Sequence, residues 1–201
     1  MSSPSLTPPG DLTARARIRN EAFSLYAIQG EERVSMRAVA AAAGVTIGLV
    51  QHHFGTKEGL RRSVDEYVVE HFVEALAGVE HTGTAAEVVA ARDGAVRTML
   101  QENPLVVRYL LRMLLEPETR GAFVLGQLVD LTVQEIRRLR EAGFASTTTP
   151  EPVQVVRTIL GQIGEHALEP MVGAVWKRVG GSDADRPRTE ITVVQPTDQT
   201  A

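Results

Sequence analysis

Residues 34 to 60, VSMRAVAAAAGVTIGLVQHHFGTKEGL, constrain the fold more than any other stretch of this chain. Ser35 has the chemistry of a helix N-cap, because its hydroxyl can accept an orphan amide of the turn that follows. Met36, Val39, Ala40 and Ala43 then recur at three- and four-residue spacing, which makes one apolar helix face. Gly44 follows the last of them, where glycine takes a left-handed C-cap at least cost. Thr46 can cap a second segment that runs to about His53, too short to hold a helix without its neighbours. Val50 and Phe54 point to one side and anchor that segment. Ile47, Gly48, Gln51 and His52 fall on the opposite side at about 100° per residue. Thr56 caps a third and longer helix, with Lys57 and Glu58 in its first turn.

A helix, a glycine turn and a short second helix form the layout of a helix-turn-helix DNA reader. The alanines of AVAAAAG let two helices cross closely. The plainer alternative is an alanine-rich hairpin in a helical bundle, which would use the same small residues.

The resemblance extends beyond the turn. Ile18, Ala22, Leu25, Tyr26 and Gly30 precede it. Ser35, Met36, Arg37, Val39, Ala40, Ala43, Gly44 and Val45 form its first half. Gly48, Val50, His52, His53, Phe54, Thr56, Lys57, Glu58 and Leu60 complete it. With these residues, positions 12 to 60 resemble the DNA-binding domain of the TetR (TetR/AcrR) family of transcriptional regulators, and HHFGTKEGL is similar to that family's HHF-x-(S/T)-K-(E/D)-x-L signature. The resemblance covers about the first third of the chain. It implies an all-α fold: an N-terminal three-helix helix-turn-helix domain followed by a helical ligand-binding and dimerisation domain. It also implies double-stranded DNA as a partner, in a palindromic operator that matches a homodimer's two-fold symmetry. An unknown small-molecule effector would release the operator, and repression is the family's commoner role.

Composition fits. The chain has 201 residues, enough for a small reader and a larger core-bearing domain. It has no cysteine, which excludes a disulfide framework and thiolate metal sites. No apolar run reaches the roughly 18 residues of a membrane span, and MSSPSLTPPGD lacks the regions of a signal peptide. A soluble, cytoplasmic protein without membrane attachment is expected. The net charge is −4, yet residues 11–62 hold eight Lys/Arg against five Asp/Glu, so the basic balance sits on the reader.

The rest reads as helix: 57–78, with a stripe of Leu60, Val64, Tyr67, Val68, His71, Phe72, Ala75 and Leu76; then 84–101, 104–115, 118–142 and 151–179, the last with a candidate bend at Pro170. The domain boundaries expected are a disordered tail at 1–10, the DNA-binding domain at 11–56, the helical domain at 57–180 and a mobile tail at 181–201. ITVV at 191–194 is a candidate extended contact. The last two helices carry surplus apolar residues and are the expected dimer surface: Phe123, Val124, Leu128, Leu131, Ile136 and Leu139 on one, and Val153, Val156, Ile159, Leu160, Ile163, Ala167, Met171, Val175 and Trp176 on the other. Gly126, Gly161 and Gly164 each cost about 1 kcal/mol inside a helix, which close helix approach would explain.

Candidate phosphate contacts are Ser35, Thr46, His53, Thr56 and Lys57, with Arg15 and Arg17 in the first helix. Thr46 and Lys57 sit at helix N-termini, where amides and dipole favour an anion. Gly48 permits close backbone approach. Candidate base readers are Arg37, for guanine, and Gln51, for adenine, with Ile47 against a thymine methyl and His52 on the same face. The solvated-surface reading stands beside Arg37 and Gln51. Ile47, Leu49 and Gln51 depart from the family's usual Lys/Arg/Gln, Thr/Ser and Tyr, so no relative's operator can be copied. Candidate effector contacts are Phe72, Met99, Arg108, Tyr109, Arg112, Met113, Glu165, His166 and Trp176. Against that, Arg108, Arg112 and Glu116 at four-residue spacing fit a surface ion-pair row, and Trp176 fits core or interface.

Enzymatic motifs are absent: no P-loop, G-x-S-x-G or G-x-G-x-x-G. No histidine has a glutamate three residues before it, as a helical di-iron site requires. No cofactor, metal site or catalytic residue is therefore expected. An interaction module with a vestigial helix-turn-helix remains the other non-enzymatic reading.

Overall fold

The structure, a computed structural model, describes residues 14–115, 121–187 and 189–194. Among these residues it is all-helical, with no strand. The helices are α1 (Ala14–Gln29), α2 (Met36–Ala42), α3 (Ile47–Phe54), α4 (Lys57–Ala77), α5 (Ala85–Glu102), α6 (Pro104–Leu114), α7 (Ala122–Glu141) and α8 (Glu151–Arg178), with 3-10 turns at Glu31–Arg33 and Asp183–Asp185. The expected helix from 118 begins at Ala122; residues 116–120, and with them Glu116, lie outside the described residues, as do 1–13.

Local chemistry sets these bounds. Ser35 and Thr46 adopt extended backbone, and their hydroxyl oxygens accept from the amides of Ala38 and Leu49. Thr56 does the same for Gly59. Gly44 and Gly55 sit at φ 65° and 69°, the left-handed region that ends α2 and α3. Thr84 and Glu87 form a reciprocal capping box: the Glu87 amide donates to the Thr84 hydroxyl, and the Thr84 amide donates to the Glu87 carboxylate.

The chain divides into two compact units: the residues up to Ala75 with Thr98–Gln127, and Leu76–Arg97 with the residues from Leu128 onward. This partition differs from a boundary at residue 57, because α6 joins the reader. α1 packs on α6, α2 and α3, and α2 on α3. The first unit's core holds Ile18, Ala22, Tyr26, Val39, Val50, Leu60, Val64, Val68, Tyr109 and Leu110. Phe23 bridges Tyr67 and Tyr109 at ring distances of 5.6 and 5.9 Å. Arg112 of α6 closes the end of α1: its Nε donates to the Ala27 carbonyl at 3.2 Å and Nη2 to that of Ile28 at 3.0 Å. A guanidinium there satisfies orphan carbonyls and complements the negative end of the helix. Arg112→Met keeps the stem and loses both bonds. It is expected to cost about 1.5–3 kcal/mol, read as a lower denaturation midpoint; an unchanged midpoint would show that water satisfies those carbonyls equally well.

In the second unit Val88, Val96, Leu128, Ile136, Leu139 and Val155 are buried. The apolar face of α7 is thus largely consumed within the chain. α8 is different: Val156, Leu160, Leu168, Met171 and Val175, with Val179 just beyond, are exposed. Their spacing of three, four and eight residues makes one stripe. α8 continues through Pro170.

The expected mobile tail makes specific contacts over its described part. The Trp176 indole donates to the Ser182 carbonyl at 2.8 Å, and Arg186 Nη2 donates to the Glu169 carbonyl at 3.0 Å and pairs with its carboxylate at 2.7 Å. The Arg157 guanidinium donates to the Val193 carbonyl at 3.1 Å. Ile191 lies over Gly164, where a Cβ would collide with its Cδ1. The close approach expected at Gly164 is therefore this segment's. At Gly126 and Gly161 a Cβ would meet nothing. ITVV is irregular rather than a strand, and residues 195–201 lie outside the described residues.

Candidate nucleic-acid interface

The helix-turn-helix is built as its sequence dictates. Val50 and Phe54 are buried against the first unit, and that fixes which face of α3 looks outward. Gly48, Gln51 and His52 are exposed, while Ile47, Leu49 and His53 are half-buried. Ser35, Arg37, Thr46 and Thr56 are exposed as well. Three successive helices begin on exposed hydroxyl caps, each using its oxygen as acceptor for an amide. The hydroxyl proton can therefore be donated outward, the polarity a phosphate oxygen requires.

The cations are placed differently from one another. Arg15 and Arg17 are exposed, and the Arg15 guanidinium lies 5.4 Å from the centroid of the Phe54 ring, which holds it beside the end of α3. Lys57 is half-buried with its Nζ 3.5 Å from Glu31, so a phosphate would share it with that carboxylate. Arg19, absent from the sequence candidates, lies 4.0 Å from the centroid of Tyr67 and 4.0 Å from Glu70.

Sequence reasoning passed over a buried charged network beneath this surface. Asp65 is fully buried. Its carboxylate accepts from Arg61 Nη1 at 2.9 Å and from the Tyr109 hydroxyl at 2.6 Å. Arg61 also donates to Glu58. Burial pushes the Asp65 carboxyl up to about 6, with the Tyr109 bond and the Arg61 charge working against that rise. Burial likewise raises the Tyr109 hydroxyl well above its ordinary range. The available signal was an aspartate inside the apolar stripe of α4, four residues after an arginine.

The candidate effector residues divide between the two units. Tyr109 is bonded to Asp65 and Arg112 to the carbonyls at the end of α1, while Glu116 of the ion-pair row lies outside the described residues; Arg108 is exposed. Phe72, Met99 and Met113 are buried apolar side chains of the first unit. Trp176 is half-buried against the chain's own Ser182. Glu165 and His166 line a cavity in the second unit.

Exposed caps and a buried anchoring face define this region as a helix-turn-helix of the DNA-reading class. Residues 18–64 match the model of the N-terminal domain of bacterial regulatory proteins, tetR family. Over 60 residues the chain is 53% identical to the HTH-type transcriptional regulatory protein RaaS of Mycobacterium tuberculosis, a match spanning 30% of this chain and 28% of that relative's length. Solved structures align over most of the chain. A transcriptional regulator from Rhodococcus sp. Rha1 is 26% identical, with 82% of this chain and 87% of that one covered at a TM-score of 0.61. A TetR transcriptional regulator from Chloroflexus aurantiacus is 21% identical, with 80% and 85% covered at a TM-score of 0.66, a likeness of fold. Residues 18–64 thus carry a DNA-binding domain of the tetR family type, and the chain is similar to transcriptional regulators of that family. These relatives are named as regulators, not as enzymes. No helix among the described residues is long and apolar enough to cross a membrane.

Proposed function

We propose that this protein is a homodimeric, sequence-specific DNA-binding repressor that leaves a palindromic operator when a small molecule binds its helical domain. The observation that carries the DNA reading is α3: it is anchored by Val50 and Phe54, exposes Gln51, His52 and Gly48, and is flanked by the hydroxyl caps of α2, α3 and α4. Ser35, Thr46, Thr56, Lys57, His53, Arg15 and Arg17 hold phosphate, and Arg37, Gln51, His52 and Ile47 face bases. The half-buried Ile47 and Leu49 give the recognition surface an apolar component.

The exposed stripe on α8 supports the homodimer, since so many large apolar residues on one helix favour coverage by a second surface. Release by a ligand requires it to bind the released state more tightly than the DNA-bound state, by several kcal/mol for near-complete switching.

Selection of bound sites from a random DNA pool tests this reading. A two-fold-symmetric site is the expected product, and a pool that never converges contradicts base readout. On the selected site, Gln51→Ala is expected to cost about 1–3 kcal/mol and to relax preference at one base step per half-site. A uniform loss on every sequence would reassign Gln51 to the phosphate backbone.

A further inference from the structure

In the second unit two side-chain contacts join α5 to α8 like two rungs of a ladder. Gln162 Nε2 donates to Asp93 Oδ1 at 3.0 Å, and one turn on Arg97 Nη2 lies 3.4 Å from Glu165 Oε2. Beside these rungs is a cavity of about 240 Å³. That is below the usual range for drug-sized ligands, about 300 Å³ upward, and equals the liquid volume of roughly eight waters. A guest of about that many non-hydrogen atoms would fill it.

The lining gives the occupant's chemistry. Asp93 and Glu165 supply carboxylates; Arg97 and Arg157 supply guanidiniums. The four charges cancel. A simple anion would face the two carboxylates and a simple cation the two guanidiniums. An apolar guest would strip water from all four without replacing its hydrogen bonds, which is costly. A molecule carrying both charges answers the whole set. Arg157 stands two turns of α8 before Glu165, with its Nε fixed on the Val193 carbonyl, so the ladder separates a cationic end from an end where carboxylates predominate. Gly161 is a second, independent sign. It is a glycine inside a helix, a choice costing about 1 kcal/mol, and a Cβ there would meet nothing because the space is the cavity. His166 Nδ1 donates to the Gln162 carbonyl at 2.9 Å, which fixes the ring at the cavity wall.

We infer that this α5–α8 cavity is a binding site for a small zwitterion of the α-amino acid class, with the carboxylate at Arg157 and the ammonium at Asp93 and Glu165. The inference deepens the ligand-responsive reading above and rests on it for its regulatory meaning. The zwitterion takes the place of the acidic or acyl ligand that arginines alone would suggest.

The test uses the full-length protein, the twenty standard L-amino acids, and the α-amide and N-acetyl forms of any that bind. Calorimetry and thermal melts are expected to show at least one amino acid binding and raising Tm with concentration. Its amide and its N-acetyl form, each lacking one charge, are expected to bind about tenfold or more weakly, as is the wild-type ligand to Asp93→Asn and Arg157→Gln. Gly161→Leu fills the cavity from a half-buried helix position and is expected to abolish binding while the protein still melts cooperatively. Failure of all twenty to bind overturns the inference, as does equal binding by the amide or by Gly161→Leu. If an amino acid binds as expected and operator affinity does not change, the site stands and release by this ligand fails. If another compound releases the operator while no amino acid binds, the regulator reading stands and this site falls.

Discussion

Asp65→Ala is expected to destabilise the protein by about 3–5 kcal/mol, because it removes one partner of a buried ion pair and orphans the Tyr109 hydroxyl. Arg61 keeps Glu58, but Glu58 lies at the solvent edge, where the attraction is screened. The loss should appear in denaturant melts, with DNA binding lost in parallel as the reader loosens from α6. Asp65→Asn isolates the charge. In the folded state the Asp65 carboxyl stands at about 6, above the value of about 3.9 in an unfolded chain. The folded state therefore holds the proton more tightly. The resulting stabilisation is full below about pH 4 and is lost as pH rises through about 6. Asparagine does not titrate. Relative to Asp65→Asn, the wild type is expected to lose on the order of 2–3 kcal/mol between about pH 4 and pH 7. A pH-independent difference between the two proteins would mean that Asp65 is ionised throughout, with Arg61 outweighing burial.

The second large effect concerns α8. Leu160 and Met171 are about half exposed and stand eleven residues, three turns, apart on one stripe. Replacing both with glutamate buries nothing new in a single chain, so a folded protein is expected. In the proposed dimer the same change places like charges against each other across the symmetry axis. The protein should then run at monomer mass at micromolar concentration, and operator affinity should fall roughly 10²–10⁴-fold, because a second half-site no longer binds as part of one molecule. A doubled mass in scattering for the double variant would remove α8 from the interface.

Elements with local causes were the ones legible in sequence. Ser35, Thr46, Gly44 and the Val50–Phe54 anchor act within a few residues of themselves, and the structure places them as their chemistry requires. What sequence missed depends on distant partners. Arg112 also bonds the end of α1, 84 residues earlier in the chain, which its spacing to Arg108 and Glu116 does not reveal. Asp65 carries no signal of its role until the Tyr109 hydroxyl arrives from α6, 44 residues on. The stripe on α7 reads as an interface, yet Leu128, Ile136 and Leu139 are buried within the chain. The polar composition of 181–201 reads as a mobile tail, and it does not reveal that the Ser182 and Val193 carbonyls in the described part meet donors on α8. Likewise Gly161 and Gly164 look alike in sequence, though one faces a cavity and the other the tail's isoleucine.

The most direct test of the central claim, sequence-specific DNA binding, is titration of the purified protein into its own upstream intergenic DNA. It is run at about 50 and 200 mM salt with scrambled DNA as competitor. The expected result is tight binding that survives both the salt and the competitor. Binding that falls steeply with salt and yields equally to scrambled DNA would mean phosphate attraction alone. No binding to that DNA or to any selected sequence would contradict the account and leave the helix-turn-helix as an interaction module.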